Sequence, residues 1–277
     1  MFSVRFWGVR GSIPTPGPST AQIGGNTTCV ELRAGAETFI FDAGSGLRGL
    51  GRALLGQMPV VARMFFSHVH WDHIQGFPFF APAFIKGNRF DLFGARKLTN
   101  TLAETLAGQM NFPNFPVSLG DMAAQMNFHD LQEGEAVACG DAVITTAQLN
   151  HPGGCFGYRV DFGGHAVVFA TDTEHYSCPD SRLVALADGA DVLIYDAMYT
   201  PEEYAGADGR QPRTGWGHST WEEGVRVARA AGVRKLVLFH HDPDHDDAEV
   251  RRIEEAAQRA FPHTTAAFEG LVLQISS

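Results

Sequence analysis

The chain has 277 residues, of which 44% are hydrophobic and 19% charged, as in ordinary globular proteins. Its formal net charge of -10 argues against non-specific binding to a long polyanion, although bound dications would still allow a small phosphate ester. The four cysteines form no Cys-x-x-Cys pair and predict reduced thiols in a cytoplasmic protein. We recognise no signal peptide, and no apolar run approaches the roughly 20 residues of a membrane helix.

The N-terminal region predicts two strands, residues 3–7 and 28–32, joined by a loop at residues 8–26. This loop is rich in Gly, Pro, Ser and Thr, and its prolines exclude regular structure. It either lies over a functional site or is a surface excursion. A further strand, residues 38–41, precedes Asp42. This carboxylate either caps a helix that begins near Leu47 or supports a metal ligand through a hydrogen bond.

A cluster of polar residues follows the next predicted strand, residues 60–66. It reads His68-Val-His70-Trp-Asp72-His73, three imidazoles and one carboxylate within six residues. His68 and His70 alternate at strand spacing, whereas Asp72 and His73 follow in a turn, so the cluster offers two groups of donors. Ligands of open α/β sheets bind at such strand ends. The donor types fit two ions of zinc, manganese or iron.

An accidental polar loop is the competing interpretation, and it is disfavoured because buried donors without partners are costly. The later predicted strands repeat the pattern, since strands at residues 142–149, 166–170, 191–195 and 235–239 also end in polar residues. Those residues are His151, Asp172, Asp196 and His240. We find no linker, which predicts one domain over residues 1–277. Two packed sheets with helices outside fit the order of elements.

This ordered set resembles the metallo-β-lactamase superfamily, whose pattern is H-x-H-x-D-H followed by a distant His, an Asp and a His. The resemblance implies the α/β class, as a four-layer αββα sandwich with two packed mixed β-sheets. It also implies a site for two divalent metal ions, most simply Zn²⁺. The first ion is assigned to His68, His70 and His151, the second to Asp72, His73 and His240, with Asp172 bridging. His241 competes with His240 for the last position, since neighbouring residues of a strand point in opposite directions.

The segment Gly217-His218-Ser-Thr220 resembles the ribonuclease Z and cyclic phosphodiesterase branch of that superfamily. Asp172 stands where β-lactamases carry cysteine, which favours phosphodiesterases over β-lactam hydrolysis. The branch implies hydrolysis of a small phosphodiester, a cyclic nucleotide or a related cyclic phosphate, by a metal-bridging hydroxide. The predicted catalytic residues are Asp72, His218 and Asp196. His218 would hold the phosphate or protonate the leaving oxygen, or else only cap the following helix; Asp196 would orient His218 or a metal ligand.

Transfer RNA processing by ribonuclease Z relatives requires a long inserted arm, usually between the second and third motifs. Here His151 and Asp172 are 21 positions apart, which leaves room only for a hairpin. With the acidic charge, this favours a small substrate over long nucleic acid. Three alternatives remain: a ribonuclease Z-like RNA endonuclease, a metal-dependent hydrolase of a lactone or thioester, and a sensor without catalysis.

Three further expectations concern partners and single residues. The family resemblance implies a homodimer, to which the apolar stretch at residues 77–84 adds weak support. A base of the substrate could stack on one of three aromatic residues, which are otherwise core: Trp216, Phe156 or Tyr199. His245, in the acidic segment 242–247, marks either a third metal site or a solvated turn before a helix.

Overall fold

The computed structural model describes residues 1–96 and 100–275. Within these ranges the strands are Phe2–Gly8 (β1), Cys29–Ala34 (β2), Glu37–Phe41 (β3), Val61–Phe65 (β4), Arg89–Ala95 (β5), Gln125–Leu131 (β6), Ala136–Cys139 (β7), Ala142–Leu149 (β8), Cys155–Phe162 (β9), His165–Ala170 (β10), Val192–Asp196 (β11), Lys235–Phe239 (β12), Thr264–Ala266 (β13) and Val272–Gln274 (β14). The α-helices are Leu47–Leu54 (α1), Trp71–Ile74 (α2), Leu102–Gly108 (α3), Ser181–Ala187 (α4), Pro201–Ala205 (α5), Trp221–Ala230 (α6) and Asp247–Ala260 (α7).

The strands form two mixed seven-stranded sheets. The first has the order β14-β1-β2-β3-β4-β5-β6 and the second the order β13-β12-β11-β10-β9-β8-β7. In the first sheet, β3 to β6 are parallel and the remaining pairs are antiparallel. The second repeats this arrangement, with β10 to β13 parallel. Two mixed sheets of equal size therefore stack face to face.

Three apolar layers explain why the sheets pack as they do. Strand β11 shows the principle: Val192 and Ile194 enter the core between the sheets, whereas Leu193 and Tyr195 enter the layer under α4 and α6. This alternation follows from the two-residue period of a strand, and a strand buried on both faces is apolar throughout. A third layer joins the first sheet to α1 and α3. The predicted αββα sandwich is confirmed.

The parallel strands carry the chain toward one common edge of the two sheets. There, β4 leads to the cluster at residues 68–73, and β10, β11 and β12 lead to Asp172, Asp196 and His240. One detail of the prediction is wrong: β4 ends at Phe65, so His68 and His70 lie in a loop rather than in strand alternation. Likewise, Asp72 and His73 lie on α2, not in a turn.

The stretch at residues 77–84 belongs mainly to the chain's own core. Phe77 and Phe80 are fully buried there, and only Phe79 exposes most of its ring. The stretch therefore offers one aromatic side chain, not an apolar surface, to a second subunit. In the part of the chain that the structure describes, no helix is long and apolar enough to cross a membrane.

His245 connects the segment before α7 to Arg10 and to Glu203 of α5, and it is neither a metal ligand nor exposed to solvent. It is buried, and its Nε2 lies 2.9 Å from Oε1 of Glu203 in α5. Its carbonyl oxygen accepts a hydrogen bond from the buried Arg10 guanidinium. Among the described residues it joins no group of metal-type donors. The segment is the predicted turn before a helix, with Asp244 and Asp246 exposed, but His245 itself is not solvated because its ring turns inward to a carboxylate.

Replacement of Glu203 by glutamine is expected to lower the free energy of unfolding most near about pH 5.5 and less near about pH 9. Burial opposes the charge, but hydrogen bonds from His245 and Thr200 lower the pKa of Glu203 to about 2. Burial also opposes the charge of His245, but Glu203 raises the pKa of that ring above its usual 6.5.

The signs of these two shifts define the pH window. The contribution of Glu203 is present above its unfolded pKa and is lost as the pH falls through about 2. That of His245 is present below 6.5 and is lost as the pH rises through the folded pKa. Urea unfolding of wild type and Glu203→Gln at both pH values measures the difference, and equal differences would contradict this account.

Candidate metal centre

Seven predicted ligands converge at the common edge of the sheets in two groups. His68, His70 and His151 form the first group, and within each group the donor atoms lie within 4.8 Å of one another. The second group holds one histidine from α2, one from the end of β12 and two carboxylates: Asp72, His73, Asp172 and His240. Side chains that are up to 172 positions apart in the sequence thus meet as the predicted pattern requires.

The first group consists of three imidazoles with short contacts. Nε2 of His151 lies 3.1 Å from Nδ1 of His70, and the ring centroids of His68 and His70 are 4.3 Å apart. Nδ1 of His151 lies 2.8 Å from the carbonyl oxygen of Gly217. A carbonyl only accepts, so the proton of His151 is on Nδ1 and its Nε2 carries a lone pair directed into the group.

The second group is built around two carboxylates. Oδ2 of Asp72 lies 3.2 Å from Nε2 of both His73 and His240. Oδ2 of Asp172 lies 3.3 Å from the same two nitrogens, while its Oδ1 lies 3.7 Å from Nε2 of His68. Asp172 therefore faces both groups, which is the geometry of a carboxylate between two ions.

The proton positions test whether a cation fits the second group. Asp42 lies 2.8 Å from Nδ1 of His73 and, because a carboxylate only accepts, holds the proton there. Nε2 of His73 is buried, has no hydrogen-bond partner and faces two carboxylate oxygens. A lone pair against two anionic oxygens is unfavourable unless a cation lies between them. This arrangement fits a divalent metal ion, with nitrogen and oxygen donors of the type zinc prefers.

The pKa of His73 also indicates that the second group favours a positive charge. Burial alone would lower the pKa of His73, but the carboxylates of Asp172, Asp72 and Asp42 raise it well above its usual value. The negative charge of the pocket thus favours a positive charge at this position, which a bound divalent ion would supply in place of a proton on Nε2 of His73. In the first group, Ser67 donates its hydroxyl proton to Asp42 and so accepts from Nδ1 of His68 at 3.1 Å. Nε2 of His68 is also buried and has no hydrogen-bond partner, so its lone pair is available to bind a metal ion.

Asp42 supports the centre and does not cap a helix. It accepts hydrogen bonds from the backbone N–H and hydroxyl of Ser67, each at 2.7 Å, as well as from His73. The N-cap of α1 is Gly46, which has no capping side chain, so the capping prediction for Asp42 is wrong. Carboxylates in this position orient a metal-binding imidazole and raise its basicity.

The structure distinguishes His240 from His241. Nε2 of His240 faces the carboxylates of Asp72 and Asp172, whereas Nε2 of His241 lies 2.9 Å from the carbonyl oxygen of Ala267. Burial, together with the charge of Arg10, lowers the pKa of His241 to about 3. His241 is therefore a neutral core histidine, and His240 is the one that enters the candidate centre.

His218 lies beside both groups and is held by Asp196. Its Nδ1 is 2.9 Å from Oδ2 of Asp196 and 3.9 Å from Oδ1 of Asp172, and its ring stacks on His240 at 5.0 Å. Burial opposes protonation of His218, but Asp196 and then Asp172 and Asp72 raise its pKa to about 9. Thr220 caps α6, so the alternative capping role of His218 is wrong.

The N-terminal loop forms one wall of the candidate centre. The backbone N–H of Ser12 donates to Oδ2 of Asp72 at 2.8 Å. A Cβ atom on Gly11 would lie 2.5 Å from the ring of His240, so only glycine fits there. Of the two predicted placements for residues 8–26, the structure supports the one over the site. The contact of Ser12 was not predicted, because every residue except proline carries a backbone N–H and the sequence therefore gives no signal for it.

Backbone strain is concentrated at the same place. Among the described residues, four that are not glycine have positive φ: Ser12 (61°), Asp42 (59°), Asp172 (56°) and His240 (60°). All four contact the two donor groups or their supports. Left-handed backbone is uncommon outside glycine and clusters at functional sites, where the surrounding structure enforces it.

The three predicted stacking candidates differ in exposure. Phe156 and Tyr199 are buried core residues, whereas Trp216 is 56% exposed. The guanidinium of Arg213 lies 5.6 Å from the centre of the Trp216 ring. Of the three, only Trp216 offers aromatic surface to a substrate.

Comparison with known proteins agrees with this geometry. A family profile described as a beta-lactamase superfamily domain matches residues 37–241. Ribonuclease Z of Methanothermobacter thermautotrophicus is 26% identical, with 100% of this chain and 98% of the relative covered. Among solved structures, the metallo-beta-lactamase fold protein YhfI from Bacillus subtilis has a TM-score of 0.72 at 19% identity, covering 98% of each chain.

A second solved structure, described as a new diphosphatase from the PhnP family, has a TM-score of 0.71 at 18% identity. The alignment covers 100% of this chain and 98% of the diphosphatase chain. The two structural likenesses establish the fold, and the profile covers most of the chain. The chain therefore belongs to the beta-lactamase superfamily and is a hydrolase of the metallo-β-lactamase fold, with a His/Asp cluster suited to divalent metal ions.

Proposed function

We propose that the protein is a phosphodiesterase that uses two divalent ions, most simply Zn²⁺, to hydrolyse a small phosphodiester such as a cyclic nucleotide or related cyclic phosphate. The observation that carries the proposal is the position of Asp172, which faces both donor groups and His218. A ribonuclease and a diphosphatase among the similar proteins support phosphorus over a carbonyl carbon as the centre attacked.

The chain would hold one ion with His68, His70 and His151 and the other with Asp72, His73 and His240, Asp172 serving both. Two bound divalent ions supply a nucleophile at neutral pH and neutralise charge on the phosphate. The protein's own residues then position the substrate. Asp42 orients His73, and the carbonyl oxygen of Gly217 orients His151.

His218 is the proposed proton donor. Asp196 accepts from its Nδ1 and raises the pKa of the ring to about 9, so at neutral pH the imidazole is charged and can donate from Nε2. Such a donor can bind a phosphate oxygen or give its proton to the departing oxygen. Asp196 is fully buried and also accepts from the backbone N–H groups of Thr173 and Met198, which fixes its orientation.

A small substrate is supported by three features of the chain. Residues 155–170 form a plain hairpin, β9 and β10, where an RNA-gripping arm would have to be inserted. The alignment with the Methanothermobacter relative spans 329 positions against 277 residues here, so at least 52 residues of that relative have no counterpart. The net charge of -10 disfavours long polyanions.

The decisive experiment assays the metal-loaded protein with bis-p-nitrophenyl phosphate, 2′,3′- and 3′,5′-cyclic nucleotides, a lactone and a precursor transfer RNA. We expect turnover of the phosphodiesters, with the highest kcat/KM for a cyclic phosphate. Lactone turnover without phosphodiester turnover would overturn the proposal in favour of a carbonyl hydrolase. Cleavage of precursor RNA with no cyclic phosphate activity would favour the ribonuclease alternative. A protein that takes up no transition metal would refute all three enzymatic readings.

The proposal includes one domain over residues 1–277, a cytoplasmic location and a homodimer. Three of the four free cysteines are buried, as reduced thiols of a cytoplasmic protein would be. The homodimer rests on the family resemblance, and light scattering of the purified protein tests it.

A further inference from the structure

Glu174 is a buried carboxylate near the metal centre to which no role has been assigned so far. It follows Asp172 by two residues and is 9% exposed. Its Oε1 accepts hydrogen bonds from the Tyr204 hydroxyl at 2.8 Å and from the Gly215 N–H at 2.6 Å. Its Oε2 accepts from the Gly217 N–H at 2.9 Å.

Within the described residues this carboxylate has no ion-pair partner, unlike Asp72, Asp172 and Asp196. A buried charge without a counter-charge is costly. It is tolerated here because three donors converge on it. Such a requirement indicates that the position of those donors matters.

The backbone of Glu174 is tied to the residue before a candidate ligand. Its N–H donates to the carbonyl oxygen of Asn150 at 2.7 Å, and the Asn150 side-chain amide donates to the carbonyl oxygen of Glu174 at 2.9 Å. His151 follows directly. Two reciprocal hydrogen bonds therefore fix the chain on one side of His151.

Gly217 connects the Glu174 side chain to the other side of His151. Its N–H donates to Glu174, while its carbonyl oxygen accepts from Nδ1 of His151 at 2.8 Å. It has a φ of 88°, and a Cβ atom there would lie 2.4 Å from Nδ1 of His151, so no other residue fits. The next residue is His218. A single peptide segment thus sets both a candidate ligand and the candidate proton donor.

We infer that Glu174 is a positioning residue: by holding the Gly215–Gly217 segment it fixes the Nδ1–H tautomer and ring orientation of His151 and places His218 beside Asp172. The inference rests on the proposed function for the catalytic part of this statement. Its metal-binding part depends only on His151 being a ligand.

The test is Glu174→Gln, which keeps the size of the side chain. An amide has one accepting oxygen, so its NH₂ group must face an N–H donor on one side and the hydrogen bonds cannot all be kept. We expect the affinity for one of two Zn²⁺ ions to fall about 10–100-fold in a chelator competition, as when other supports of metal ligands are removed. The absorption spectrum of the Co²⁺-substituted protein should change, and kcat should fall while KM stays near that of wild type.

Two matched controls separate positioning from general destabilisation. Glu203→Gln removes a half-buried carboxylate of the same region that contacts neither Gly217 nor His151, and it should keep wild-type Zn²⁺ affinity and Co²⁺ spectrum. Tyr204→Phe removes one donor to Glu174 but leaves the Gly217 hydrogen bond in place. Its effect should be small.

Unchanged Zn²⁺ affinity and Co²⁺ spectrum in a folded Glu174→Gln protein would overturn the inference. Equal losses of Zn²⁺ affinity in Glu174→Gln and Glu203→Gln would also overturn the inference, since the effect would then be general destabilisation. If Glu174→Gln does not fold, Glu174→Asp, which keeps the charge but is too short to reach all three donors, decides through the same two measurements. Should the wild-type protein lack phosphodiesterase activity, the proposed function fails, whereas affinity and spectrum still test the role of Glu174.

Discussion

Substitution of His218 by alanine is expected to lower phosphodiester turnover by about 10²–10⁴-fold, the usual contribution of a general acid, while both metal ions stay bound. The reason is geometric. His218 lies beside Asp172 and is held through Nδ1 by Asp196, yet the two main groups of donor atoms are complete without it. Its loss should therefore remove a proton donor and leave the ions in place.

Metal content by mass spectrometry and kcat on bis-p-nitrophenyl phosphate measure the two parts of this prediction. Asp196→Asn is the informative companion, because an asparagine can still accept from Nδ1 but no longer raises the pKa of His218. That variant should retain more activity than His218→Ala, and the alkaline limb of its pH–rate profile should move to lower pH. Wild-type turnover in His218→Ala would remove the proposed role, and loss of an ion would instead make His218 a ligand.

Substitution of Asp172 by asparagine should have a larger effect, with loss of tight binding at both ion positions and turnover reduced to background. The neighbouring imidazoles of His73, His240 and His68, with burial opposing them, hold the pKa of Asp172 well below its usual range. An amide carries no charge to offset a divalent ion, and its NH₂ group cannot act as a ligand.

Equilibrium dialysis against Zn²⁺ measures binding, and the assay above measures turnover. Asp91→Asn serves as the control, since Asp91 is also buried but contacts Asn127 and Arg89 away from the centre. It should bind two ions as wild type does. Two tightly held ions in Asp172→Asn would show that the carboxylate does not bridge the groups.

The sequence pattern predicted the convergence of the His and Asp donors because its signals are local. A buried strand that ends in polar residues is visible in one dimension, and His68, His151, Asp172 and His240 each follow such a strand. Parallel strands bring their ends to one edge, so the convergence follows from the fold class. Strand β12 agrees with its predicted bounds, residues 235–239, for the same reason.

The predictions that stayed open or were wrong depend on contacts between distant segments. Whether His240 or His241 enters the centre is visible only in contacts with other segments, since His240 faces Asp72 and Gly11, whereas His241 contacts Ala267. Asp42 preceded a helix and so was compatible with capping, but a φ of 59° turns its side chain toward Ser67 and His73 instead. Glu174 gave no signal because two of its three side-chain partners are backbone N–H groups, which every residue except proline carries.

The arrangement of the two sheets has a consequence for how the enzyme is made. Each donor group combines residues from the first sheet with residues from the second: His68 and His70 with His151, and Asp72 and His73 with Asp172 and His240. A nascent chain that has reached only residue 150 holds four of the seven donors and lacks part of both groups. The second group can therefore be completed only after His240 has left the ribosome, so loading of that position should follow synthesis and join the two sheets as its last step.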